Sequence, residues 1–211
     1  MMNWKTYRYM FSRLYDFIDT YDLFSGCDPF QLCQKLGISC IPYSEGDNKR
    51  LLEMSKDGFS LFEDGDFYIF YSDARDKLES KRVNFTISHE LGHFVLLHHQ
   101  ILGAEILAQN RSGAGHLGAD LRTAEGQADK FAHNLLMPVE KTRELITKKI
   151  PRPELCKIFG VSKAMLETRL GYLNDDEKRL KTICKTCSVC GAQRIEYLPY
   201  CHICGTAYLE G

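Results

Sequence analysis

The sequence carries no marked excess of charge of either sign. Its formal net charge at pH 7 is −1, which gives no global attraction to nucleic acid or to an anionic membrane. Long apolar runs are missing too: the longest uncharged stretch, Leu91 to Ala104, falls well short of the roughly 20 residues that span a bilayer. There is no internal repeat and no low-complexity tract. The N-terminus, Met1-Met2-Asn3-Trp4-Lys5-Thr6-Tyr7-Arg8, leads into an amphipathic stretch and lacks the apolar centre and small-residue cleavage site of an export signal. These absences exclude a helical membrane protein and a repeat array, and they set the expectation of a protein kept in the cytosol. What is present is ordinary for a globular chain: 211 residues, 44% hydrophobic and 26% charged, enough for one well-cored domain and a small appendage.

Cysteine is not scarce, and its distribution is informative. Of nine cysteines, Cys27, Cys33, Cys40 and Cys156 stand singly, while Cys184, Cys187, Cys190, Cys201 and Cys204 crowd the C-terminus. An odd total without an export signal argues against a disulfide framework and for a metal site plus free thiols. The four single cysteines are expected as small buried hydrophobes.

Helical spacing of Tyr7, Met10, Phe11, Leu14, Phe17 and Ile18 predicts a helix over 4–21. Asp28-Pro29 opens a second helix as an N-cap followed by Pro in the first turn, and Gly37 closes it. Residues 38–43 read as a strand, and 58–62 with 66–71, joined by Glu63-Asp64-Gly65, as a β-hairpin. A long helix apolar on most sides is expected over 83–98, and Gly113, Gly115 and Gly118 mark a loop after it. A further helix over 120–137 buries Leu121, Ala124, Ala128, Phe131, Ala132, Leu135 and Leu136. Pro138 starts another, and residues 154–173 have the spacing of helix, turn and capped helix. The expected fold class is α+β: a mainly helical catalytic domain with a small sheet over 1–137, a helix-turn-helix-like segment packed on it over 138–175, and a cysteine-rich tail over 176–211.

Ser88-His89-Glu90-Leu91-Gly92-His93 contains the string H-E-x-x-H. Residues four apart lie on one face of a helix, one turn above the other, so His89 and His93 can reach one zinc ion while Glu90 stands beside it as a base. The surrounding Phe85, Ile87, Leu91, Phe94, Val95, Leu96 and Leu97 bury this helix. Two imidazoles and a carboxylate buried without partners would be costly, and a metal removes that cost. A catalytic zinc needs a third protein ligand and an open position. Glu125, projecting from the apolar stripe of the next helix, fits best. Asp129, one turn later, is placed to accept a hydrogen bond from a ligand His and fix its tautomer. His98 and His99 read as helix-end residues turned away from the ligand face, without a metal role.

At this point the residues resemble a known family. The run Lys81-Arg82-Val83-Asn84-Phe85-Thr86-Ile87-Ser88-His89-Glu90-Leu91-Gly92-His93, with Glu125-Gly126-Gln127-Ala128-Asp129 through Leu136-Met137-Pro138, is similar to the ImmA/IrrE family of zinc metallo-endopeptidases. Asp28-Pro29-Phe30 through Leu36-Gly37-Ile38, and Phe159-Gly160-Val161-Ser162 with Arg169-Leu170, extend the likeness to roughly residues 28–173. The resemblance implies a zincin-like domain, Glu125 as the third ligand and, typically, cleavage of a helix-turn-helix repressor in stress response or mobile-element control. Many members carry a His four residues after the second ligand, where this chain has Leu97. In the implied chemistry Glu90 takes a proton from the attacking water and passes it to the leaving amine. His133 and Tyr71 are candidates for the oxyanion or substrate contact, Tyr71 because it ends an expected edge strand that could bind substrate by β-addition.

In the tail, Cys187-Ser188-Val189-Cys190-Gly191 and Cys201-His202-Ile203-Cys204-Gly205 are two C-x-x-C-G knuckles, the pattern of a closed Cys₄ zinc site resembling a zinc ribbon. Such a site has no room for a reactive water and would fold the tail. Cys184 and His202 read as bystanders. The expected cofactors are therefore one catalytic and one structural zinc. The expected partner is a protein substrate rather than a membrane. Nucleic acid is the lesser candidate, since residues 138–211 hold 13 Lys+Arg against 9 Asp+Glu and the candidate recognition helix offers only Lys163 and Arg169. The alternative is a DNA- or protein-binding regulator using the helix-turn-helix and ribbon, with a zinc site that does not cleave. Nothing in the sequence fixes the oligomeric state.

Overall fold

The computed structural model describes residues 4–43, 49–72, 80–108, 119–186, 193–195 and 203. The chain runs α1 (Trp4–Tyr21), α2 (Pro29–Lys35), β1 (Ser39–Tyr43), α3 (Lys49–Met54), β2 (Gly58–Glu63), β3 (Asp66–Ser72), α4 (Ser80–Val95), α5 (His98–Leu102), β4 (Ile106–Ala108), α6 (Ala119–Leu136), α7 (Val139–Thr147), α8 (Arg152–Ile158), α9 (Lys163–Ile183), β5 (Cys184–Thr186) and β6 (Gln193–Ile195). This is an α+β fold, mainly helical, with a sheet in the order β1-β3-β2-β4 and a separate β5-β6 pair. Among the described residues no helix is long and apolar enough to cross a membrane.

Local chemistry accounts for the elements that the sequence predicts. Asp28 caps α2 by accepting from the Phe30 and Gln31 amides at 2.9 Å and 3.3 Å, which satisfies orphan N–H groups of the first turn. The β2–β3 hairpin closes through Asp64 and Gly65, both at positive φ (53° and 92°), as a two-residue turn between antiparallel strands requires. β1 joins the same sheet parallel to β3, and β4 adds antiparallel to β2. So β3 is an inner strand, paired on both sides. The expectation that Tyr71 ends an edge strand is corrected here: the outer strands of this sheet are β1 and β4.

One core cluster joins α1, α2, the sheet, α4 and α6 through Met10, Phe11, Leu14, Ile18, Ile69, Ile87, Leu91, Phe131 and Leu135. A second joins Phe85, Ala132, Leu136 and Met137 to α7, α8 and α9 through Leu145, Leu155, Phe159, Val161 and Leu166. α4 lies in the middle, between the sheet and α6. It meets α6 closely because residue 92 has no side chain: a Cβ there would stand 3.1 Å from Phe131 Cδ1 and 3.2 Å from Ala128 Cα. Glycine is what allows the two backbones to approach.

Two helices end elsewhere than expected. α4 stops at Val95 because Leu97 takes a left-handed conformation (φ 58°, ψ 33°), after which the short α5 begins. α9 does not end near Leu173 but continues to Ile183, carrying Asp176 into the interior with no exposed surface. The short elements α3, α5 and β4 are too brief to leave a periodic signal in the sequence. The glycine loop at 113–118 and the four knuckle cysteines, Cys187, Cys190, Cys201 and Cys204, lie outside the described residues.

Candidate metal centre

α4 presents His89 and His93 on one face, four residues and one helical turn apart. Both are 1% exposed. Their Nε2 atoms stand 3.1 Å apart, close to the roughly 3.3 Å separating two nitrogens that share one tetrahedral zinc at about 2.0–2.1 Å. α6 brings Glu125 to the same point. Its carboxylate oxygens lie 3.2 Å from His89 Nε2 and 3.5 Å from His93 Nε2. Ligand atoms of His89, His93 and Glu125 all fall within 4.8 Å of one another, the one such group among the described residues.

The test of fit is whether these atoms have other work. Neither carboxylate oxygen of Glu125 makes a hydrogen bond, although both are buried. Buried polar atoms are ordinarily partnered, so two carboxylate oxygens that face two converging imidazole nitrogens without a well-formed hydrogen bond call for a cation. The donor set of two imidazoles and one carboxylate is that of a catalytic zinc site with a position left open. The residues fit the metal.

The outer partners agree with that polarity. His89 Nδ1 donates to Asp129 Oδ1 at 3.0 Å, which directs its Nε2 toward Glu125 and His93. Burial acts to lower the His89 pKa, but Asp129 and Glu125 outweigh it and hold the imidazole at about 10. It is a site that attracts positive charge. His93 behaves oppositely: burial, with His89, His98 and His99 around it, keeps it well below its usual range and therefore neutral.

Glu90 is 1% exposed, and burial pushes its carboxyl up to about 7. One of its oxygens, Oε2, has no hydrogen bond, and the group also lies within reach of Ser60 on β2. A carboxylate poised near neutral pH is suited to accept and return a proton.

His98 and His99 are not turned outward, as their sequence positions suggest; each is 2% exposed. His98 Nδ1 lies 2.9 Å from His93 Nδ1, and its Nε2 lies 2.8 Å from Gln127 Oε1. His99 faces the sheet, donating from Nδ1 to the Ala104 carbonyl at 2.8 Å, with Nε2 3.0 Å from Ser60 Oγ. The sequence reading therefore missed His98 and Gln127 as neighbours of the centre. The turn at Leu97 that brings His98 back has no glycine or proline to announce it.

His133 sits between Phe85 and Tyr172, with ring centroids 4.9 Å and 5.6 Å away, and burial pushes its pKa down to about 4. Its Nδ1 makes no hydrogen bond. Tyr71, on the inner strand, packs edge-on against Phe30 at 5.3 Å. Arg169, read as a candidate recognition-helix residue, is fully buried. It donates to the Met137 carbonyl, Asp176 and Asn134 at 3.0, 2.5 and 2.8 Å, so it is not available to a DNA backbone.

A buried pair of helices, one bearing H-E-x-x-H and the other a converging glutamate, defines a metallopeptidase class of site. The chain belongs to the IrrE N-terminal-like domain family of peptidases, whose sequence model matches residues 50–171. That span contains both helices of the centre and continues through α7 and α8 into α9. A peptidase domain implies a protein substrate. No curated protein matches the chain.

Proposed function

We propose that this protein is a zinc-dependent endopeptidase that hydrolyses a peptide bond in a protein partner, with His89, His93 and Glu125 holding the catalytic zinc and Glu90 as general base. The observation that carries the reading is the convergence of two buried imidazoles and a partly buried carboxylate whose oxygens lack well-formed hydrogen bonds. When bound, zinc supplies Lewis-acid polarisation of a carbonyl and of water. Glu90 removes the proton of the attacking water and delivers it to the leaving amine. Asp129 holds the His89 ring, and His133, beside Phe85 and Tyr172, is the candidate donor to the substrate carbonyl. Tyr71 remains a candidate contact without the β-addition role, which passes to the outer strands.

The same proposal extends to the substrate and the tail. The family resemblance points to a helix-turn-helix repressor as substrate, and cleavage of such a repressor would take place in the cytosol. Residues 1–137 form the peptidase unit and 138–175 the helical segment packed on it, which α9 prolongs to Ile183; in the rest of the expected 176–211 tail, Cys187, Cys190, Cys201 and Cys204 hold a second, structural zinc. The burial of Arg169 supports the peptidase over the DNA-binding alternative.

Co-expression with a helix-turn-helix repressor encoded beside this gene tests the reading. The wild-type chain is expected to cleave it. Glu90→Gln, folded and zinc-loaded, is expected to lose about 10²–10⁴-fold in rate. Cleavage by that variant at the wild-type rate would contradict it.

A further inference from the structure

We propose that His98 and Gln127 are positioning residues of the metal centre: a neutral hydrogen-bond relay, Gln127 to His98 to His93, that fixes the tautomer and ring orientation of His93. The inference rests on the reading of His93 as a ligand, and it assigns the part of the centre that Asp129 does not reach.

The relay depends on how α4 ends. Five residues beyond His93 on an uninterrupted helix, His98 would stand about 140° around the axis from it. The left-handed Leu97 breaks that path. Two side chains of α1 hold the break: Arg13 donates from Nε and Nη2 to the Val95 carbonyl at 3.0 Å and 2.8 Å, and Tyr9 donates from its hydroxyl to the Leu96 carbonyl at 3.0 Å. These carbonyls belong to the end of α4, where no intrahelical donors remain. The His98 ring is thereby returned to His93, at a centroid distance of 4.9 Å and an interplanar angle of 70°.

The hydrogens can then be assigned by elimination. Two Nδ1 atoms 2.9 Å apart share one hydrogen. If it sat on His98, His93 would carry its own hydrogen on Nε2 and could not bind a metal there. It must therefore sit on His93 Nδ1, with His98 Nδ1 accepting. His98 then carries its hydrogen on Nε2, and the group facing that atom must be an acceptor. Gln127 Oε1, at 2.8 Å, is one. Every link has a single consistent polarity.

α6 thus organises both ligand histidines. Asp129 fixes His89 directly, and Gln127, two residues earlier on α6 and 6% exposed, fixes His93 through His98. One partner is a carboxylate and the other a neutral amide, so the relay orients His93 without adding negative charge.

The test has two arms on the full-length chain. Imidazole ¹⁵N NMR of the zinc-loaded protein is expected to find His93 in the Nδ1–H form and His98 in the Nε2–H form; the Nδ1–H form of His98 would overturn the relay. Zinc affinity is measured by competition with a chromophoric chelator. His98→Leu is expected to weaken binding roughly 10–100-fold, and His98→Asn, which offers an acceptor near the Nδ1 position, to recover most of the loss. Gln127→Leu should weaken binding and Gln127→Glu restore it; this pair serves if His98→Leu does not fold. Wild-type affinity in His98→Leu or Gln127→Leu, with a wild-type melting curve, would overturn the relay alone. A wild-type chain that takes up no zinc would instead sink the underlying metal-site reading.

Discussion

The molecule holds two buried polar clusters a few turns apart on α6, and they are built on opposite plans. In the first, Arg169 and Asp176, both without exposed surface, join Asn134 and the Met137 carbonyl. All three guanidinium nitrogens find acceptors within the protein. In the second, His89, His93 and Glu125 converge, and the carboxylate oxygens face the imidazole nitrogens without a well-formed hydrogen bond. A closed cluster of this kind secures packing, here of α9 on α6. An open one has a valence to fill from outside the chain. The difference separates a structural network from a reactive one without reference to any motif.

That contrast can be broken at either end. The largest effect is expected from Arg169→Met, which takes from the buried Asp176 its closest charge partner and leaves it Lys130 at 3.8 Å and Asn134 at 3.4 Å; it should cost about 3 kcal/mol of unfolding free energy, read by urea denaturation. Zinc affinity of the folded fraction should be unchanged. Glu125→Ala should show the reverse pattern. Zinc binding, by chelator competition, should fall by more than the roughly 100-fold that an outer partner costs, while the denaturation midpoint in chelator moves little, because only the contacts to His89 and His93 at 3.2 Å and 3.5 Å are lost.

Asp129→Asn is expected to lie between, weakening zinc roughly 10–100-fold with a near-native melting curve. Gly92→Ala should have the smallest effect, about 1 kcal/mol of destabilisation, since its Cβ would meet Phe131 and Ala128 at 3.1–3.2 Å, tighter than an ordinary van der Waals contact. An equal loss of stability in Glu125→Ala and Arg169→Met would dissolve the distinction between the clusters.

The centre was legible in the sequence where its geometry is local. His89 and His93 are four apart on a helix, and helical spacing alone puts them on one face. Glu125 and Asp129 repeat the interval on a second helix whose apolar stripe must also face the core. What was not legible depends on departures from local rules. His98 reaches His93 only because Leu97 adopts a left-handed conformation uncommon for a residue with a Cβ. Gln127 then matters only through His98. Arg169 reads as a surface residue of a recognition helix until α9 is seen to extend past Leu173 and bury Asp176 beside it. Tyr71 reads as an edge residue because strand alternation does not reveal neighbours: β1 pairs with β3 from across the chain, a non-local fact.

The fold class followed the same division. The Asp28 cap and the Asp64–Gly65 turn are written in single residues and were found where expected. β4, three residues long, carries no pattern of its own and is held by pairing with β2.

The most direct measurement of the central claim is a crystal structure of the zinc-loaded protein with anomalous data collected on both sides of the zinc edge. The expected result is a peak bonded to His89 Nε2, His93 Nε2 and Glu125, at about 2.0–2.2 Å from each. Zinc bound elsewhere with that position empty, or a peak there lacking Glu125 as a ligand, would contradict it.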